Sequence, residues 1–241
     1  FCQLFKEGKI TASQSNCGCH VHVDARDLSP EMVEGLLHLL IRVEPIVFAM
    51  VPTARRTNSY CNPGAPLFVT WLDKLTKDPH LDRTQWLLEC IFGRNPDGTI
   101  KYGKPKDMAG LKANKTKHCG NIPRFLAFNL QPYFGHGTIE CRLLNGCTNP
   151  VRLINWGVML ASILDCAKTT RMKEITRLCK LSPLRLLMKM SPSLAHKRWI
   201  TATLRTFSTV TPPTPTQLRG YTTARRRVDR AVQQHTASVL A

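Results

Sequence analysis

Two short segments carry residues whose types and spacing could do chemistry. In Cys19-His20-Val21-His22-Val23-Asp24, apolar and polar residues alternate. Successive side chains on a strand point to opposite faces. The pattern predicts a strand with His20, His22 and Asp24 on one face, roughly 7 Å apart per two-residue step. Cys19, Val21 and Val23 then line the other face. An imidazole can donate to a phosphate or ligate a metal; a polar, solvent-facing strand side explains the same pattern. In Thr138-Ile139-Glu140-Cys141-Arg142-Leu143, Glu140 and Arg142 share a face by the same rule. A carboxylate holds Mg²⁺ through hard oxygen, and a guanidinium clamps a phosphate or carboxylate with two parallel hydrogen bonds. The plain alternative is a same-strand ion pair on an exposed face. Arg124 stands ahead of the apolar run Phe125 to Leu130, in which Asn129 is the polar exception. Arg55-Arg56-Thr57-Asn58-Ser59-Tyr60-Cys61 reads equally as an ordinary basic loop.

These residues need elements to position them. CHVHVDA (residues 19–25) predicts the first strand. Ser29-Pro30-Glu31 then supplies an N-cap, a first-turn proline and an early acid. Val33, Leu36, Leu37 and Leu40 follow at helical spacing, with a bend or end expected near Pro45. A loop is expected from Val51 to Pro66, and a second helix from Leu81 to Phe92. Residues 93–121 read as a loop in which seven basic residues face two acidic ones. Strands are expected over 125–130 and 138–144, joined at Gly135-His136-Gly137 as an antiparallel hairpin. Asn149-Pro150 opens a helix to about Thr169. Shorter helical pieces run to Met190 and from about Ala195 to Leu204.

The chain has 241 residues, 43% hydrophobic and 21% charged. That is long enough to bury a core and too apolar to remain disordered. Lys and Arg number 34 against 16 Asp and Glu, a net charge of +18, so an anionic partner is expected. No stretch of about 18 residues is apolar and free of charge, so no membrane span is expected. The ten cysteines form no Cys-x-x-Cys pair; the expectation is reduced, mostly buried thiols in a cytoplasmic protein. Neither a GxxxxGK[ST] run nor a GxGxxG fingerprint occurs, which removes support from P-loop and Rossmann readings. From 195 onward, eight basic residues face one acid. This divides the chain into a folded domain at 1–194 and a basic, Thr/Pro-rich tail at 195–241.

Four segments in order resemble the amidoligase family of carboxylate–amine ligases, related to glutamate–cysteine ligase and glutamine synthetase. They are CGCHVHVDA (17–25), RRTNSYC (55–61), RFLAFNL (124–130) and TIECRLLNGCTNPVRLINW (138–156). The resemblance implies an α+β fold, with a curved, open-barrel-like antiparallel sheet and helices packed outside it. It implies ATP and Mg²⁺ in the concave face and an amide bond made through an acyl phosphate. Carried over by position, Glu140, Arg142 and Arg124 would be catalytic. His20, His22 and Arg56 would bind ATP phosphates, Tyr60 and Asn129 the substrate, and Glu140 with His22 the metal.

Ligases of this kind hold Mg²⁺ with an early Gly-x-Glu-x-Glu strand. No such strand precedes Cys17, where Glu7 stands alone in FKEGKI, and the chain opens on Phe1. The N-terminal acidic strand is therefore expected to be missing, and a catalytically incomplete amidoligase-like piece is one alternative. A nucleic-acid-binding protein driven by charge is another, although no recognition motif is present. A zinc site at Cys17, Cys19, His20 and His22 is opposed by strand alternation. A cysteine hydrolase at Cys61 with His118 or His136 has no supporting spacing.

Overall fold

The computed structural model describes residues 18–56, 58, 61–93 and 126–208. At its centre is helix α1 (Pro30–Ala49). Ser29 begins it: its Oγ accepts the Met32 N–H at 3.3 Å, and Pro30 fills a first-turn position that needs no N–H donor. Val33, Leu36, Leu37 and Leu40 are fully buried. The helix does not end near Pro45 as its sequence predicts; it runs four residues further. An interior proline costs a helix about 3 kcal/mol. Val43, Val47 and Phe48 bury their side chains around it, and each such burial contributes about 1.5–3 kcal/mol, so packing outweighs the break.

The segment expected as a loop after α1 contains the short helix α2 (Thr53–Arg56) and the start of α3 (Ala65–Lys77). Gly64 offers no side chain to cap α3. Glu44 of α1 does so instead, accepting the Gly64 and Ala65 N–H groups at 2.8 Å each. Helix α4 (Arg83–Phe92) starts two residues later than the sequence indicates, capped by Asp82, whose Oδ1 accepts the Gln85 N–H at 2.7 Å. Trp86 anchors α4 on α3 by donating its indole N–H to the Trp71 carbonyl at 2.9 Å.

Among the described residues, three short strands form one sheet: β1 (Val21–Asp24), β2 (Phe128–Asn129) and β3 (Thr138–Cys141). Their order is β1-β3-β2 and both pairings are antiparallel. The hairpin from β2 to β3 turns through a short helix, α5 (Pro132–His136), and Gly137. Gly137 has φ 65°, and a Cβ there would collide with the Arg26 side chain, so glycine is required. The α+β class matches the expectation. Among the described residues the sheet is small, three-stranded and not closed. Its apolar face carries Val21, Val23, Phe128, Ile139 and Cys141, with β1 against the next helix, α6 (Pro150–Thr169).

Asn149 caps α6 by accepting the Arg152 N–H at 3.2 Å. Among the described residues α6 is the one helix long and apolar enough to cross a membrane by composition; Trp156, Met159, Leu160, Ile163 and Leu164 turn one side of it into the core. Helices α7 (Met172–Leu178), α8 (Pro183–Met190) and α9 (Leu194–Ser208) follow and pack on α1. Helix α9 lies in the stretch assigned to the tail, yet Ile200 is fully buried. His196 stacks on Trp199 at 5.5 Å, and Trp199 meets Trp156 edge-on at 6.4 Å. The remainder of the expected tail and nearly all of the 93–121 loop lie outside the described residues. The seven described cysteines are free thiols.

Candidate active site

The polar face of the sheet is built around Glu140. In the register of the sheet, Glu140 on the middle strand sits between His22 on β1 and Asn129 on β2. All three side chains point away from the core, as strand alternation requires. Glu140 is 4% exposed, and four side chains surround its carboxylate. His20 Nδ1 lies 2.7 Å from Oε1. Arg142 Nη1 lies 3.0 Å from Oε1 and 3.2 Å from Oε2. Asn129 Nδ2 donates to Oε2 at 2.7 Å, and His22 Nε2 stands 3.6 Å from Oε1. The Asn129 amide is held in one orientation, because its Oδ1 accepts the Gln131 N–H at 3.0 Å. His22 Nδ1 reaches Thr138 Oγ1 at 3.0 Å.

A break in register lets both imidazoles reach one carboxylate. Val21 pairs with Cys141, but Gly18 bridges Asn145. Residues 19–20 therefore oppose residues 142–144, one more than the ladder needs, as in a β-bulge. A bulge leaves carbonyls without ladder partners, and Arg55 takes two of them. Its Nε donates to the Leu143 carbonyl at 3.3 Å and its Nη2 to the Arg142 carbonyl. Arg55 is buried, and its guanidinium lies so close over Gly18 that a Cβ there would collide with it.

His20 is more than one-third exposed on its side chain and opens to the polar face. A carboxylate only accepts hydrogen bonds, so Nδ1 carries the proton in the Glu140 contact and Nε2 presents a lone pair. Partial burial first, then the Arg142 guanidinium, push the imidazole below its ordinary value despite the pull of Glu140. The neutral imidazole is thus favoured over the cation at His20. Arg55 also acts on His20 through space, so two guanidiniums and one carboxylate meet here and the cluster is net positive.

The structure brings together His20, His22, Asn129, Glu140 and Arg142. Asn129, expected at the substrate, is 3% exposed and donates to the Glu140 carboxylate. Arg56, expected at the phosphates, lies elsewhere. It donates to the Val51 carbonyl at 2.8 Å, Ala49 at 3.0 Å and Phe207 at 3.2 Å, tying the end of α1 to α9. Arg55, one position earlier, stands beside the cluster; Gly18, a glycine beside a strand, was the sequence signal for such a close approach. Asp24 sits at the rim, clamped by Arg26 at 2.6 Å, which holds its carboxyl well below the usual range. Arg124 and Tyr60 lie outside the described residues.

Mg²⁺ does not fit this cluster. It asks for near-octahedral oxygen ligands at about 2.0–2.1 Å. Among the described residues the cluster offers one carboxylate, whose two oxygens already accept from Asn129, Arg142 and His20. Among the described residues, no group of three or more His, Cys, Asp or Glu side chains is arranged to hold a metal ion. Burial pushes the Cys61 and Cys19 thiols up and the Cys141 thiol up to about 12. Thiols so raised are poor nucleophiles at neutral pH.

The fold and site define an α+β protein whose sheet carries one buried carboxylate flanked by two partly exposed imidazoles. A family model described as "putative amidoligase enzyme" matches residues 3–164, well over half of the chain and all of this cluster. The chain belongs to that amidoligase family. No curated protein and no solved structure matches it.

Proposed function

We propose that the chain is an ATP-dependent ligase that joins a carboxylate to an amine through an acyl phosphate. The observation that carries this reading is the Glu140-centred cluster lying wholly inside the family match, with an imidazole and a guanidinium on the same carboxylate. A carboxylate is a poor electrophile and needs activation. In the proposed reaction a substrate carboxylate oxygen attacks the γ-phosphorus of ATP, and the bond to ADP breaks. The amine then attacks the acyl carbon, the bond to phosphate breaks, and inorganic phosphate leaves.

This chain's residues divide the work. Arg142, fixed by Glu140, neutralises negative charge developing on the phosphoryl or acyl oxygens. His20 Nε2 accepts the proton of the attacking amine, while Glu140 sets the tautomer that exposes that lone pair. His22, with Thr138, lines the phosphate side. Asn129 holds Glu140. Arg124 and Tyr60 keep the catalytic and substrate roles that their motif positions imply. In this reading the three strands belong to a curved sheet of the glutamine synthetase and glutamate–cysteine ligase type, and the substrates are amino acids, peptides or protein side chains.

The test is ADP release by the full chain, with ATP supplied as its Mg²⁺ salt and a panel of carboxylates and amines. Release that requires both acid and amine, together with hydroxamate formation when hydroxylamine replaces the amine, supports the ligase. ADP release indifferent to both partners, or none with any pair, removes it.

A further inference from the structure

Beyond the family match, which ends at 164, the surface changes sign. From 171 to 205 there are nine basic residues and one acid, Glu174, and Glu174 pairs with Arg177 at 2.7 Å. Helices α7, α8 and α9 each turn apolar residues inward: Ile175 and Leu178, Leu186 and Leu187, and Ile200. All three pack on α1, and Arg42 of α1 ties their first connection by donating to the Leu181 carbonyl at 2.7 Å. Their outer sides carry exposed cations, with Leu184 on α8 and Leu194 at the start of α9 exposed among them. Lys173 and Arg177 lie one turn apart on α7, Arg185 and Lys189 one turn apart on α8, and Arg198 and Arg205 two turns apart on α9.

We propose that the outer face of α7, α8 and α9 binds the phosphate backbone of duplex nucleic acid. Repeated exposed cations on rigid helices suit a polymer of regularly spaced phosphates. A membrane surface fits less well, because interfacial helices need a continuous apolar stripe, and here only Leu184 and Leu194 stand exposed among the cations, ten positions apart. A protein partner would need buried aromatic or aliphatic anchors at the centre of the contact. Single strands are gripped by exposed aromatic platforms, and no fully exposed aromatic side chain lies on these helices. The face belongs to the part of the chain outside the family match, so it does not depend on the ligase reading.

The experiment is fluorescence anisotropy with a labelled DNA duplex of about 20 base pairs, using the full chain across a salt series. The comparison is a variant carrying Lys173→Gln, Arg185→Gln, Lys189→Gln and Arg198→Gln, with its melting temperature measured alongside. Each lost phosphate contact lowers the slope of log K against log salt by about 0.9. The expected result is salt-steep binding by the parent and a slope smaller by about 3.6 in the variant, with an unchanged melting temperature. Absence of duplex binding at low salt would overturn the proposal. So would an unchanged slope in the variant, which moves binding to other basic segments. Tighter binding to a single strand, or to phosphatidylserine vesicles, than to the duplex overturns it as well. Should the fourfold variant melt early, Arg185→Gln with Lys189→Gln alone must still lower the slope.

Discussion

His20 Nδ1 lies 2.7 Å from Glu140 Oε1, and this contact decides which imidazole nitrogen faces the open side of the sheet. A histidine that gives its Nδ1 proton to a carboxylate keeps its Nε2 lone pair available. His20→Gln removes the base but keeps a hydrogen-bonding side chain. Ligation should fall by about 10²–10⁴-fold, and hydroxylamine, a stronger nucleophile at neutral pH, should be affected less than an ordinary amine. Equal losses for both nucleophiles would place His20 at the phosphoryl step instead.

Glu140→Gln should be more damaging than removal of either imidazole alone. The amide cannot balance Arg142, and its NH₂ would confront donors from Asn129 or His20. We expect ligase activity to drop at least about 100-fold and stability to fall by about 1–3 kcal/mol. Steady-state kinetics and a urea melt of the same variant check the two effects.

Asn129→Asp puts a second carboxylate where an amide now donates to Glu140 at 2.7 Å. Two like charges at that distance raise the pKa of the pair. Raised carboxyl pKa values mean that stability is present at low pH and lost as pH rises. The variant should therefore melt lower than the parent at pH 8 and approach it at pH 5. Parallel melting curves at the two pH values would contradict the geometry.

Glu44 predicts a pH dependence for the parent itself. Burial pushes its carboxyl up from about 4.5 to about 7, against the pull of the Gly64 and Ala65 N–H groups. The folded value lies above the unfolded one, so the contribution is complete below about pH 4.5 and is lost as pH rises through about 7. Glu44→Gln should flatten the dependence of melting temperature on pH across that window while still offering one acceptor to the start of α3. A slope unchanged by the substitution would assign the effect to another group.

Arg55→Met should destabilise the fold by about 2–4 kcal/mol by leaving the bulge carbonyls of Arg142 and Leu143 without their donor. Because the bulge aims His20, activity should fall further than the lost stability explains. Measuring kcat below the melting transition separates the two.

Local patterns located the strands that carry His20, His22 and Glu140, because a period of two and a cap residue act over neighbouring positions. Ser29, Asp82 and Asn149 begin helices by contacts within three residues. What was illegible depends on distance. Pro45 signals a helix end, and only the packing of α1 against its neighbours overrules it. Helix α3 is capped by a carboxylate 20 positions earlier in the chain, so no local motif marks its start. Arg55 and Arg56 differ by about 100° of helix rotation, and nothing in their own sequence says which one turns toward the sheet. The extra residue opposite 19–20 is likewise a property of two strands together.

The stacked rings of His196 and Trp199 roof over Trp156, which has no exposed surface. A polypeptide trimmed to the amidoligase signature would lose that roof and bare the flank of α1 that α7 and α8 now keep dry. Those borders would yield a sticky, half-finished core, so useful expression boundaries must reach through Phe207, whose carbonyl also receives Arg56.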